Sequence, residues 1–242
     1  MPVSLALCFD APMQSWGVRS HGVIRDTARE PTKSGVVGVL AAALGVAREN
    51  DAAIARLAAL QLAIRVDREG VLERDFHTTQ NVPTTMGTGH RTVVSERYYL
   101  ADALFLVVIH GDPGLLADAA AALATPRWQL FFGRKAFVPV RALFGAPGTA
   151  HGLSDAPAEV VLERHPWLEL DSRIRATEHG KTDRLRLRTV SDCPPRTTGA
   201  EVRHDVPVRF TQGDRRHATR TVATGSVPLT SEMIPAGDPS CS

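Results

Sequence analysis

Val3, Leu5, Leu7 and Phe9 alternate with smaller or polar neighbours, and an apolar period of two residues marks a half-buried strand. The way this period changes along the first half of the chain constrains the fold more than any other feature. From Thr32-Lys33-Ser34 the spacing becomes helical and stays so to Leu44, with Val36, Val39/Leu40 and Ala43/Leu44 as the buried stripe and Gly45 as a natural terminator. Gly35, Gly38, Ala41 and Ala42 keep that helix thin, so it can lie close on a sheet. Asn50 or Asp51 caps a second helix through Leu60. Leu62 to Val66 returns to strand character, and a turn at Arg68-Glu69-Gly70 leads into a partner strand toward His77. The continuous apolar run Leu104 to Ile109 suits a central strand, Asp112 to Leu123 a third helix, and Arg127 to Phe132 a last strand. This order predicts an α+β protein built on a ferredoxin-like (RRM-like) βαββαβ unit.

One long insertion interrupts the middle hairpin of that unit. Thr79 to Ser95 has almost no apolar period and contains Pro83, Gly87 and Gly89, which predicts an extended loop or hairpin tip projecting from the body. Beyond about Phe144 helix signals are sparse, and Leu168 to Ala176 and Val206 to Phe210 read as strands. The expected division is a βαββαβ part over 1–145 with the insertion at about 78–98, a strand-rich part over 146–234, and a frayed tail over 235–242.

A chain of 242 residues and 26.1 kDa buries roughly 70% of its unfolded surface, enough for a core without disulfides. With 43% hydrophobic and 22% charged residues it is neither disordered nor collagenous. No apolar run approaches the ~18 residues of a membrane span. The start at Met1-Pro2-Val3-Ser4-Leu5 lacks a basic leader, so no signal peptide is expected. Cys8, Cys193 and Cys241 lie far apart with no C-x-x-C pair, which argues for a reducing cytoplasm and against a disulfide framework or zinc knuckle. The net charge is only +2, yet of 28 basic residues just Lys33, Lys135 and Lys181 are lysines. Arginine's planar fork suits phosphates and stacked bases, although GC-rich coding produces the same bias. Arg164 to Arg220 holds 13 basic against 8 acidic residues, a modest basic face.

Several short motifs have chemical content. Pro31-Thr32-Lys33-Ser34-Gly35 puts a hydroxyl, a cation and a glycine at a helix N-terminus, which serves either as a phosphate cradle or as an ordinary N-cap with a lysine. It is no Walker A loop, because the upstream glycines are missing. Gly133-Arg134-Lys135 is a glycine turn with two cations, suited to phosphate contact or simply to solvent. Trp16, beside Gln14 in a loop, stacks on a base or plugs a core edge. Tyr98 and Tyr99 face opposite sides of a strand. Asp75 and His77 share one side of a strand, as acid/base machinery or as a structural pair. Nine scattered histidines with no H-E-x-x-H pattern argue against a metal site. Neither G-x-S-x-G nor G-x-G-x-x-G occurs.

Taken in order, Pro12-Met13-Gln14-Ser15-Trp16-Gly17, Pro31-Thr32-Lys33-Ser34-Gly35, Asp75-Phe76-His77-Thr78, Tyr99-Leu100-Ala101-Asp102-Ala103 and Gly133-Arg134-Lys135 resemble the family of CasD subunits of type I-E CRISPR Cascade complexes, within the repeat-associated (RAMP) superfamily. The resemblance covers about residues 3–140. It implies a ferredoxin-like palm with a protruding β-hairpin thumb, and a crRNA-binding role in antiviral defence. The subunit would hold the 5′ handle, abut the large subunit and the terminal backbone subunit, and meet target DNA through the complex. The implied RNA contacts are Gln14, Trp16, Arg25, Thr32, Lys33, Ser34, His77, Thr78, Tyr99, Gly133, Arg134 and Lys135. In that family a cysteine is common where Phe137 stands here. A related branch cleaves pre-crRNA with a tyrosine, lysine and histidine set, but here Ala136 follows Lys135 and no Lys-His pair occurs. The expectation is therefore no catalysis, no cofactor and no metal, with a metal-independent endoribonuclease acting on pre-crRNA as the alternative. There His77 would serve as the base and Lys135 would stabilise the phosphorane.

Overall fold

The computed structural model describes residues 1–18, 22–85, 87–143 and 152–234; the expected tail over 235–242 falls outside them. In chain order the elements are β1 (Val3–Asp10), β2 (Met13–Gln14), β3 (Ile24–Arg25), α1 (Lys33–Leu44), α2 (Asp51–Ala58), β4 (Gln61–Arg68), β5 (Val71–Pro83), β6 (His90–Ala101) and β7 (Leu104–Gly111). They continue with α3 (Pro113–Ala124), β8 (Leu153–Ser154), α4 (Ala158–Arg164), α5 (Ser172–His179), β9 (Arg186–Asp192), β10 (Glu201–Arg209) and β11 (Arg216–Pro228).

The ends of α1 follow from local chemistry. Thr32 is the N-cap, its hydroxyl accepting from the Gly35 N–H, and Gly45 closes the helix in the left-handed conformation at φ 72°. Asn50 caps α2 and Asp112 caps α3 in the same way. In the seven-stranded sheet β4, β7, β1 and β8 are successive antiparallel neighbours. A βαββαβ unit makes this order, with β1 and β7 central and the two-residue β8 in the last strand's place. The strand predicted at Arg127 to Phe132 does not form. There the N–H groups of Arg127 and Trp128 satisfy the carbonyls of Ala43 and Ala42 at the end of α1, and Phe132 turns inward onto Phe9, 4.6 Å between ring centroids.

Period two divides the sheet's core. Leu5, Leu7 and Phe9, with Phe105, Val107 and Ile109 and with Leu62, Ile64 and Val66, form one cluster with α1, α2 and α3. Ala6, Cys8, Ala63, Leu104, Leu106 and Val108 form a second cluster with Ala158, Val161 and Leu162 of α4. With both faces covered, the sheet holds Arg65 and Asp67 of β4 in the interior, both side chains at 0% exposure.

The insertion is a long hairpin in which β5 and β6 pair from Val71↔Ala101 to Pro83↔His90. Asn81, at φ 56°, sits in the bulge between Thr79 and Val82, where a short polar side chain tolerates the left-handed region. Apart from Val82 every residue of β5 is exposed, so the hairpin stands clear of the core, with β2 and β3 pairing β6 at its base.

The C-terminal strands extend the main sheet. β9 pairs β4, β11 pairs β9, and β10 is the edge. The strand predicted at Val206 to Phe210 lies within β10 apart from its last residue. The one predicted at Leu168 to Ala176 is absent, because Asp171 Oδ1 accepts from the Arg173 and Ile174 N–H groups and starts α5 there. Together α4 and α5 make this region more helical than its sequence suggests.

Candidate nucleic-acid interface

An open cleft of about 890 Å³ lies where the base of the hairpin meets the N-terminus of α1 and the β10–β11 ribbon. Its floor includes Ser15, Thr32, Ser34 and Gly35. The hairpin base and the segments beside it contribute Arg25 of β3, Asp26, Arg97 of β6 and Arg134, and the β10–β11 ribbon contributes His204, Asp205, Arg215, Arg216 and His217.

Gly133 positions Arg134. It adopts φ +88°, and a Cβ there would lie 1.8 Å from the Ser15 carbonyl oxygen, while the Ser15 N–H donates to the Phe132 carbonyl at 3.1 Å. The turn is therefore pressed against the 15–16 loop, and only glycine fits. Beyond it Arg134 Nη2 donates to the Tyr98 carbonyl at 2.8 Å, and the guanidinium lies 5.2 Å from the Phe137 ring centroid. Phe137 thus supports the basic turn from below. Burial, then the positive charges of Arg97 and Arg25, lower the pKa of Arg134, with Asp75 opposing. A cation that is partly desolvated and crowded by like charges gains most from an incoming anion.

Among the described residues the arginines divide into those with a carboxylate partner and those without, and four of the unpaired ones gather at this cleft although others, such as Arg29, Arg56 and Arg127, lie elsewhere. Arg65, Arg68, Arg74, Arg141, Arg188, Arg203, Arg209, Arg216 and Arg220 each have a carboxylate partner. Among the described residues Arg25, Arg97, Arg134 and Arg215 have none. Arg25 Nε donates to the Gly22 carbonyl and Arg97 Nε to Ser95 Oγ, both at 3.1 Å. These partners are neutral, and Asp75, opposite Arg97, with Asp26, which lines the cleft, sets two negative charges against the three cations Arg25, Arg97 and Arg134.

The N-terminus of α1 is already occupied by the protein's own carboxylates. Asp205 Oδ2 accepts from the Lys33 N–H at 2.8 Å, and Lys33 Nζ donates to Asp192 Oδ2 at 2.8 Å. Arg220 pairs with both Asp205 and Asp192. Burial alone would raise the Asp205 pKa, but hydrogen bonds and charge from Arg220, helped by Lys33, hold it below the ordinary carboxylate value. Lys33, expected to meet phosphate, is instead a buried structural cation, and Thr32 is an N-cap. Ser34 faces the cleft.

Trp16 and Gln14 also depart from expectation. Trp16 is 1% exposed, stacked 5.7 Å from Phe9 and lying 5.6 Å from Phe132, and a Cβ on Gly35 would come within 2.7 Å of its ring. Gln14 is fully buried and donates to the carbonyls of Phe9 and Ala103. Gln14 lies outside the cleft lining, while Trp16 borders the cleft with almost none of its surface open, because the small residues of α1 admit the 13–16 loop into the core. His77 and Thr78 are exposed on β5, outside the cleft lining. Asp75 opposes Arg97 and His77 opposes Ser95, so His77 shares a hairpin face with Arg97. Tyr99 is half-buried against Phe137, 5.9 Å between centroids. Lys135 is exposed next to the turn.

Sequence reasoning missed Arg97, His204, Arg215, Arg216 and His217. A signal existed for the last three in the run Arg215-Arg216-His217, within the stretch already noted for its basic excess. A register shift between Arg203 and Val206 lets the ribbon present His204 to the cleft and Asp205 to α1, as bulges re-aim side chains. Nucleophilic cysteine chemistry has no support at Cys8, whose thiol is pushed up to about 12, chiefly by burial.

A family model described as CRISPR-associated protein (Cas_Cas5) matches residues 4–223. The CRISPR system Cascade subunit CasD of Escherichia coli (strain K12) is 31% identical over 155 residues, 58% of this chain and 69% of that protein. A crystal structure of a Cas protein superimposes with a TM-score of 0.71 at 34% identity, covering 98% of this chain and 100% of the other. A chain of a CRISPR RNA-guided surveillance complex gives 0.74 at 31% identity, covering 98% and 95%.

Proposed function

This chain belongs to the CRISPR-associated Cas5 family, and from that premise we propose that it is a non-catalytic crRNA-binding subunit of a type I-E Cascade surveillance complex. In this reading it holds the 5′ handle of the crRNA, caps the backbone beside the large subunit, and meets target DNA through the complex. The observation that carries the proposal is the convergence on one open cleft of Arg25, Arg97, Arg134 and Arg215, all without a carboxylate partner among the described residues. Single-stranded RNA needs donors for its phosphates and surfaces for unstacked bases, and binding it needs neither metal nor nucleophile. The projecting hairpin beside the cleft gives a handle something to bend around. His77, Thr78 and Tyr99 lie along that hairpin.

The test is binding of a fluorescein-labelled RNA carrying the handle of its own CRISPR repeat, measured over a salt series. Arg97→Ala with Arg134→Ala is expected to weaken binding and flatten the slope of log K against log salt by about 0.7 for each phosphate released. Affinity and slope equal to the parent protein's would overturn the proposal. So would specific cleavage of repeat RNA in EDTA that disappears in His77→Ala, since that is the behaviour of a processing nuclease.

A further inference from the structure

The ribbon side of the cleft has chemistry of its own. Arg215 is exposed and makes no hydrogen bond or ion pair with another described residue. Arg216 is tied to Asp214 by Nε at 2.7 Å, which fixes its base at the start of β11. His204 and His217 stand edge to face, 6.4 Å between ring centroids, and both line the cleft. Two carboxylates line the cleft, Asp205, held by Arg220 and the N–H of Lys33, and Asp26, whose Oδ1 accepts from the Val18 N–H; Asp214 offsets the charge of Arg216 and leaves Arg215 as the ribbon's unpaired cation. The same cleft is lined by Arg25, Arg97 and Arg134 from the hairpin side. At about 890 Å³ the cleft is near the upper end of the ~300–1,000 Å³ typical of pockets that enclose whole small molecules, which is room for more than one nucleotide.

We infer that the β10–β11 ribbon is a second phosphate-binding wall: Arg215 and Arg216, with the imidazoles of His204 and His217, hold one phosphate of a single strand whose neighbouring phosphates rest on Arg25, Arg97 and Arg134. The inference rests on the RNA-binding reading above and adds to it a bivalent grip. A strand held on both walls must cross the cleft and is fixed in a bend, and the imidazole N–H groups add short-range donors to the arginines' charge. Guanidinium forks suit two oxygens of one phosphate. Ligands too short to span both walls bind through one of them only.

The experiment uses this 242-residue chain and the same labelled repeat RNA, with a uridine oligonucleotide of equal length as the sequence-independent comparison. Arg215→Ala/Arg216→Ala is expected to weaken binding of both RNAs roughly three- to tenfold near ~0.1 M salt, and to lower the salt slope by about 0.7 per phosphate released. His204→Gln/His217→Gln is expected to weaken binding with little change in slope, because it removes donors and not fixed charge. If the arginine pair disturbs folding, Arg215→Ala alone carries the test, since that side chain holds no other residue. Parent-like affinity in Arg215→Ala, alongside weakened binding in Arg97→Ala/Arg134→Ala, overturns the second wall and leaves the RNA-binding reading standing. Parent-like affinity in both sets overturns the two together.

Discussion

Arg65→Ala is expected to destabilise the protein by about 3–5 kcal/mol, a fall in melting temperature of roughly 6–20 °C for a chain of this size. The guanidinium is fully buried and uses every direction of its fork. Nε and Nη2 meet the two Asp67 oxygens at 2.6 and 2.9 Å, Nη1 donates to the carbonyls of Leu162 and His165, and Nη2 donates also to Pro166. Asp67 in turn accepts from the Leu168 N–H, and its carbonyl accepts from Trp167 Nε1. One side chain thus joins β4 to the end of α4 and the segment after it. Removing it leaves the Asp67 carboxylate without its counter-charge and the Leu162 and His165 carbonyls without their side-chain donor. Arg65→Lys keeps the charge but cannot reach so many acceptors with a single ammonium, so an intermediate loss is expected. Arg65→Met with Asp67→Leu recovers part of the stability, because it removes the orphaned charge but not the orphaned carbonyls. Thermal or denaturant melts of these variants check the series. An Arg65→Ala melting point within ~2 °C of the parent would sink the account.

Arg65 also marks where the sequence stops being legible. The strand Leu62 to Val66 is plain from its alternation, and the alternation alone assigns Arg65 and Asp67 to a solvent face. The segment that buries them lies about a hundred residues away, and no local period announces it. Elements whose signals are local are readable: Thr32 and Gly45 bracket α1, and the apolar run from Leu104 forms β7. Arg127 to Phe132 has the apolar character of a strand, but its backbone finds partners in the carbonyls left open at the end of α1. The same contrast governs the site. Arg134 is legible because a glycine turn with cations is a local motif. Lys33 is not, because Asp192 and Asp205, which neutralise that helix end, are 159 and 172 residues further along. Nor is Trp16, whose burial depends on Gly35 of another element.

Gly133→Ala is expected to cost roughly 3–5 kcal/mol and to weaken RNA binding at least as much as Arg134→Ala does, although it removes no donor. Two effects add. The φ of +88° is strained for any residue with a Cβ, and the new methyl would sit 1.8 Å from the Ser15 carbonyl oxygen, a backbone atom with no rotamer to change. The turn must therefore move away from the 15–16 loop, breaking the Ser15 N–H bond to the Phe132 carbonyl and loosening Phe132 from its stack on Phe9. Arg134 moves with the turn, away from the Tyr98 carbonyl and from Arg97 and Arg25. Melting and RNA affinity measured on one preparation separate this from simple unfolding. Well below the lowered melting point, circular dichroism should match the parent while the salt slope has fallen by about 0.7, as expected when one phosphate is released. A Gly133→Ala protein with parent-like melting and slope would mean that the turn does not set the position of Arg134, and the cleft's first wall would then have to be built some other way.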